Sequence, residues 1–102
     1  MNNIVEVTKT ELMPTSSRKS FYGRAFVLEG KDNTHWLQSY NTIMCSVDRD
    51  GHVRRHSDYR SNTTDRHVKA FLETFASDME PAKFRKLEVE PRPTLVSAVR
   101  RP

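Results

Sequence analysis

The sequence predicts one α+β domain, in which an antiparallel sheet of four or five strands carries one main amphipathic helix packed on one face. Three observations predict it: apolar and polar residues alternate over residues 35–47, a tight-turn sequence occupies residues 48–51, and an apolar stripe of helical spacing follows residue 62. The length of 102 residues suits one domain. We therefore assign residues 1–90 to the domain and residues 91–102 to a basic, proline-containing tail.

The first elements are strands. Residues 4–7 are β-prone and predict an edge strand, and residues 13–20 contain the proline, serines and charges of a loop. Residues 21–29 alternate with apolar groups on both faces, which is typical of a central strand. Gly23 within that run indicates a bulge or a close backbone approach.

The central feature is a β-hairpin. Residues 35–47 predict the longest strand, residues 48–51 predict a tight turn in which Gly51 takes a positive φ, and residues 52–56 predict the returning strand. The strand face under the helix is expected to carry Ile43, Cys45 and Val47.

A helix is predicted to begin at Asn62 or Thr63, next to capping residues. Pro81 ends it and suits the first position of one more helical turn. Residues 87–90 predict a short last strand, and the apolar run in the tail is expected to dock on the sheet or on a partner. The apolar stripe of the helix comprises Val68, Phe71, Leu72, Phe75 and Met79.

Composition limits the class of protein. The net charge of +4 favours nucleic acid, anionic lipid or an acidic protein as partner, although a merely soluble basic protein is the plain alternative. The single cysteine, Cys45, permits no internal disulfide and favours a reducing cytosol. The start of the chain resembles no signal peptide, and no apolar run reaches the ~20 residues of a membrane span. We expect a cytoplasmic protein with no membrane partner.

The sequence contains no recognisable catalytic motif. His52 and His56 would lie roughly 13 Å apart on one strand, too far for a shared zinc ion. Residues 48–51 lack the remaining ligands of a calcium loop, and Cys45 is expected as a buried neutral thiol. We therefore expect no catalytic residue, no metal and no cofactor. The four histidines considered as ligands are His35, His52, His56 and His67.

Basic and aromatic residues suggest a binding surface instead. Arginines that follow the hairpin and cations on the exposed helix face would attract phosphates if they shared one side, and tyrosines would stack on bases or on a protein. The alternative is a solvated surface neutralised by nearby acids. The candidate binding surface comprises Arg54, Arg55, Arg60, Arg66, Lys69, Tyr40 and Tyr59. Further basic residues near the central strand are Arg18, Lys19 and Arg24.

Three short motifs carry a family resemblance: Lys-Ser-Phe-Tyr-Gly-Arg-Ala at residues 19–25, Leu-Gln-Ser-Tyr-Asn-Thr at 37–42 and Thr-Thr-Asp-Arg-His at 63–67. In this order they resemble a family of small uncharacterised domains encoded largely by bacteriophages, prophages and plasmids. The resemblance implies an origin on a mobile element and a life in the host bacterial cytoplasm. It implies no catalytic residue.

The same motifs contain polar residues that core packing does not require. One interpretation is a functional surface, and the other is a polar network that fixes the helix on the sheet. The candidate members of this network are Ser39, Asn41, Thr64 and His67.

Our leading hypothesis is a non-catalytic bacteriophage accessory protein that binds a host macromolecule. A counter-defence inhibitor, such as an anti-CRISPR, is one form of it. The expected partner is a host protein or ribonucleoprotein, with nucleic acid and a second copy of the chain as alternatives. The second hypothesis is a basic nucleic-acid-binding module, and the third is an enzyme that uses Tyr40, Arg66 or His67.

Overall fold

The computed structural model describes residues 4–14 and 21–97. The strands there are β1 (Ile4–Glu11), β2 (Ala25–Gly30), β3 (His35–Ser39), β4 (Thr42–Val47), β5 (Val53–Arg55) and β6 (Thr94–Ser97). They form one sheet in the order β5-β4-β3-β2-β1-β6. The two helices are α1 (Asn62–Phe75) and α2 (Pro81–Phe84).

The α+β class is confirmed, but the predicted sheet was too small. The described part of the chain has six strands rather than four or five, and the sheet is mixed because β6 runs parallel to β1. The additional edge strand comes from residues 94–97, within the segment predicted as a tail. Its apolar run docks on the sheet, where Leu95 pairs with Val5.

The predicted long strand over residues 35–47 is two strands. The chain reverses at Tyr40 and Asn41, where Tyr40 adopts φ 55°, so that β3 and β4 form an antiparallel hairpin. The predicted turn over residues 48–51 is confirmed. Gly51 has φ 87° and its amide donates to the carbonyl of Asp48 at 2.9 Å.

A β-bulge in β4 changes which side chains of this strand lie on each face of the sheet, compared with the prediction. Leu37 pairs with Cys45 but Gln38 pairs with Ile43, so Met44 is an extra residue. Because a one-residue shift exchanges the two faces of a strand, Ile43 lies on the face away from α1. Its cluster there includes Val7, Leu28 and Trp36. The expectation that Ile43 lies under the helix was therefore wrong, whereas Cys45 and Val47 share a core cluster with α1.

The predicted central strand over residues 21–29 begins later than expected. Phe21 to Arg24 form a turn, in which Gly23 has φ 69°, and β2 starts only at Ala25. Within β2 the two apolar faces are as predicted: Val27 packs in the cluster under α1, and Leu28 packs on the opposite face.

Helix α1 begins where the capping residues indicate. The hydroxyl of Ser61 accepts a hydrogen bond from the amide of Thr64 at 3.0 Å, which satisfies one of the free amides of the first turn. The helix packs on β3 and β4. Phe71 and Leu72 are almost fully buried, and burial of each side chain contributes about 1.5–3 kcal/mol.

The segment after α1 packs on the same side of the sheet as α1 and reaches the β5 edge. Pro81 occupies the first turn of α2, as predicted, and Phe84 is buried in the core under α1. The strand predicted for residues 87–90 is reduced to one parallel bridge between Arg55 and Val89. Among the described residues no helix is long and apolar enough to cross a bilayer.

Candidate binding surface around His67

Three segments that are distant in sequence meet at one end of the sheet. The amide of Tyr40 donates to the carbonyl of Arg24 at 2.7 Å, which joins the β3–β4 turn to the turn before β2. The ring of His67 in α1 packs edge-on to Phe21 at 4.6 Å between centroids, and lies 5.8 Å from the ring of Tyr40. These are the three segments that carry the motifs of residues 19–25, 37–42 and 63–67.

A buried polar network lies beneath this junction. The hydroxyl of Ser39 is 3.0 Å from the hydroxyl of Thr64 and 2.8 Å from Nδ1 of His67. The three residues are at most 2% exposed, so their polar groups depend on one another rather than on water. Three of the four residues considered for a polar network therefore meet, whereas Asn41 lies exposed in the turn. The network attaches α1 to the end of β3.

Electrostatics favour a neutral His67. Burial lowers the pKa of its imidazole below the ordinary value, and the adjacent charge of Arg66 lowers it further. A neutral ring suits the position of His67 beside the rings of Phe21 and Tyr40. Because Ser39 is only 2% exposed, its hydroxyl contacts His67 and Thr64 inside the fold, where these contacts hold the helix on the sheet.

The surface above the network presents two tyrosines in an uncommon conformation. Tyr22 has φ 54° and is 70% exposed, and Tyr40 has φ 55° and is 43% exposed. A bulky residue with positive φ costs of order 1–3 kcal/mol, which the surrounding contacts must offset. Here the amide of Gly23 donates to Oε2 of Glu11 at 3.0 Å, and Nε2 of Gln38 donates to the carbonyl of Tyr40 at 2.7 Å.

We call this region the turn surface and define it as Tyr22, Arg24, Tyr40, Asn41 and Arg66. All five residues are exposed. The region combines aromatic rings with two guanidinium groups on a backbone fixed by the contacts below it. Exposed aromatic rings and guanidinium groups of this kind can contact a partner surface.

Two of the arginines proposed from the sequence, Arg54 and Arg55, make contacts within the protein. Arg54 donates to Asp48 at 2.9 Å, and this hydrogen bond, together with those from the backbone amides of His52 and Asp50, lowers the pKa of the Asp48 carboxyl to about 2. Arg55 donates to the backbone carbonyls of Arg85 and Leu87 at 3.2 and 3.0 Å. These contacts hold the turn after β4 and the segment after α2.

The remaining candidates lie on two sides of α1. Arg66 is exposed beside His67, as part of the turn surface. Tyr59, Arg60 and Lys69 line a different cleft of about 30 Å³ between β5, α1 and α2. Arg60 is paired there with Asp65 at 2.9 Å. The predicted surface is therefore divided, and Arg18 and Lys19 fall outside the described residues.

A second serine–histidine pair was not foreseen from the sequence. Nδ1 of His56 lies 2.8 Å from the carbonyl of Glu90, and Nε2 lies 2.8 Å from the hydroxyl of Ser46. Because a carbonyl only accepts, Nδ1 carries the proton and Nε2 accepts from Ser46. Burial lowers the pKa of His56, as it does for His67. This pair attaches the segment after α2 to β4.

The other reactive groups also occupy structural positions. Cys45 is fully buried under α1, and burial raises the pKa of its thiol, in agreement with the expected neutral side chain. Within residues 4–14 and 21–97, no group of three or more histidine, cysteine, aspartate or glutamate side chains could hold a metal ion.

Comparisons with known proteins identify a family but no function. Residues 8–88 match the model of a protein family described as a family of unknown function (DUF8033). The match includes the turn surface and the buried network beneath it. No curated protein and no solved structure matches the chain.

Proposed function

We propose that this chain, which belongs to the family of unknown function DUF8033, is a non-catalytic protein that binds a host macromolecule through the turn surface. The observation that carries the proposal is the pair of exposed tyrosines, Tyr22 and Tyr40, held with positive φ above a buried network. Both side chains remain exposed although the backbone that carries them is strained. Strained backbone of this kind concentrates at functional sites.

The chemistry of the turn surface supports a protein partner. Tyrosine and arginine are the residue types most often found as energetic centres of protein interfaces. The rings of Tyr22 and Tyr40 are carried by fixed turns, so less conformational entropy is lost when they bind. Arg24 and Arg66 add positive charge at the same place, which suits an acidic patch on the partner.

The biological setting of the proposal rests on the resemblance of the three motifs to domains of phages, prophages and plasmids. In that setting the protein is a small phage accessory protein in the host cytoplasm. Occupying a host protein or ribonucleoprotein that acts in defence, as anti-CRISPR proteins do, is one form of this role. Steric or electrostatic blockade requires no catalytic residue.

Nucleic-acid binding is the second candidate. The net charge of +4 and the exposed cations Arg66 and Lys69 on α1 favour it, because phosphates bind to such groups without base-specific contacts. The internal contacts of Arg54, Arg55 and Arg60 weigh against it, since these guanidinium groups would have to leave their partners to reach phosphates.

Affinity capture from bacterial lysate followed by mass spectrometry tests the proposal. The wild-type chain is compared with Tyr40→Asn, which removes the ring but retains a residue that tolerates positive φ. Tyr59→Asn serves as the matched control, because Tyr59 is also an exposed tyrosine but lies on the other side of α1. We expect a defined host protein to be captured by the wild type and the control, and lost with Tyr40→Asn.

Fluorescence anisotropy with generic single- and double-stranded DNA and RNA separates the two candidates. A binding constant that is large at low salt, and whose logarithm falls linearly with the logarithm of salt concentration, would favour the nucleic-acid module. Capture of the same protein by Tyr40→Asn and by the wild type would contradict the assignment of the turn surface.

A further inference from the structure

The two edges of the sheet differ in how their backbone groups are satisfied. At the β5 edge, Arg55 forms a bridge with Val89, and the amide of Glu90 donates to the carbonyl of Arg55 at 2.7 Å. The side chain of Arg55 also holds the carbonyls of Arg85 and Leu87. Another strand could not add there without displacing the segment after α2.

The β6 edge is open within the part of the chain that the structure describes. Strand β6 pairs with β1 from Thr94 to Ser97 in parallel register, and no described strand lies on its other side. In a strand, backbone groups point alternately to the two sides, so part of the amides and carbonyls of β6 face away from β1. These outward-facing amides and carbonyls can form the hydrogen bonds of a further β-strand.

The strand β6 is only four residues long, but those residues include no charge and no proline, two features that usually hinder edge pairing. Edge strands are commonly protected by lysine or other charges, by proline within the strand, or by bulges. The four residues of β6 are Thr-Leu-Val-Ser, which are uncharged, and the register with β1 is regular. Pro91 and Pro93 precede the strand and limit its extension at that end. By contrast, β5 carries Arg54 and Arg55.

Apolar side chains accompany the open edge. Ile4 is 59% exposed and Val96 is 39% exposed, and the pairing of β1 with β6 places both on the same face of the sheet. They line one shallow depression, whose rim includes the ion pair between Glu6 and Lys31 at 3.9 Å. An added strand would cover backbone polar groups and these apolar side chains together.

We propose that β6 is a dimerisation strand, which pairs antiparallel with β6 of a second copy of this chain across a two-fold axis. A sheet edge pairs with a β-strand, and none of the four residues of β6 is charged, so no like charges oppose each other within the paired strands. Closed two-fold dimers are the commonest assemblies of identical chains. The two sheets then form one continuous sheet.

The fold restricts the register of this pairing. If the two-fold axis is perpendicular to the sheet, the helix-bearing faces of both copies lie on the same side. Each residue of β6 must then pair with a residue whose side chain lies on that same face. The largest overlap that meets this condition places the axis at Leu95 or Val96. In either register, Val96 contacts Thr94 or Val96 of the second copy and is covered by it.

Sedimentation velocity over a range of protein concentrations tests this assembly. We expect the wild-type chain to form a dimer, and Val96→Lys to be a monomer, because in either register the two lysines would lie near the axis on the same face, where their charges repel and the apolar contact of Val96 is lost. Val89→Lys is the matched control: it places the same charge at a valine that is 49% exposed near the β5 edge, and it should remain a dimer.

Hydrogen exchange of the wild-type chain gives an independent measurement that needs no variant. Amides in residues 94–97 should become more protected as the dimer forms, while those of β5 should not change. A wild-type chain that is monomeric at every concentration would overturn the proposal. So would a Val96→Lys chain with unchanged circular dichroism that still forms the dimer, or a chain that pairs β6 only with a foreign peptide.

Discussion

Two serine–histidine pairs lie in this small protein, and they have different tasks. In one pair, Nδ1 of His67 contacts the hydroxyl of Ser39, and Thr64 joins the same hydroxyl, under the exposed turn surface. In the other, Nε2 of His56 contacts Ser46 while Nδ1 contacts the carbonyl of Glu90. The first pair joins a helix to a sheet beneath a candidate site, and the second fastens a chain segment to the sheet edge.

What the two pairs share shows why a serine next to a histidine is not by itself a catalytic feature. Both serine hydroxyls are buried, at 2% and 3% exposure for Ser39 and Ser46. A nucleophile needs a space where a substrate atom can reach it. Here each histidine uses its ring nitrogen to satisfy a polar group inside the fold, and the functional question moves to the surface that the pair supports.

Replacement of each histidine by alanine gives the largest expected contrast. His67→Ala removes a ring that is 1% exposed and one of the two partners of the Ser39 hydroxyl, so we expect a loss of about 2–4 kcal/mol in the free energy of unfolding. His56→Ala should cost about 1–2 kcal/mol, because His56 is only partly buried. Urea unfolding at neutral pH measures both. Equal losses would contradict the different roles of the two pairs.

Replacement of each serine by alanine sharpens the same contrast with a smaller change. The Ser39 hydroxyl has two partners, Thr64 and His67, whereas that of Ser46 has one in His56. We expect Ser39→Ala to cost about 1–3 kcal/mol and Ser46→Ala about 1 kcal/mol. Ser39→Ala should also weaken capture of the partner, whereas Ser46→Ala should not. If Ser39→Ala and Ser46→Ala weakened capture of the partner to the same extent, the Ser39 network would not support the turn surface.

The elements that depend on local sequence could be predicted. The cap at Ser61 and the stripe that includes Val68, Phe71 and Leu72 define α1 because capping and helical spacing act within a few residues. The turn before β5 follows from Gly51 for the same reason. A signal for the buried network was also present, since Ser39, Thr64 and His67 are polar residues in positions that core packing does not explain.

The elements that depend on distant contacts could not be predicted. A tyrosine rarely adopts positive φ, so nothing local indicated that the chain reverses at Tyr40. The bulge at Met44 and the parallel pairing of β6 with β1 are settled by sheet register. The contact of Ser46 with His56 depends on the β4–β5 hairpin together with the position of Glu90, which no sequence pattern specifies.

Acid should weaken both pairs, and this is the smallest of the expected effects. The pKa of His56 and that of His67 are lowered in the folded chain, so both rings are neutral there and the unfolded chain takes up the protons first. Their contribution is fully present above the ordinary histidine pKa of about 6.5 and is lost as the pH falls below it. The effect is small because the unfolded chain binds only part of a proton per histidine between pH 7 and 6.

Urea unfolding of the wild type and of His56→Ala and His67→Ala, measured at several values between pH 7.5 and 5.5, checks this sign. Each variant should lose stability less steeply with acid than the wild type, because one proton-binding difference has been removed. Asp48 affects a separate and lower window: its contribution to stability is fully present above the ordinary aspartate pKa of 3.8 and is lost as the pH falls from there through about 2. If the free energy of unfolding of the wild type rose as the pH was lowered from 7 to 6, this would contradict neutral histidines at both positions.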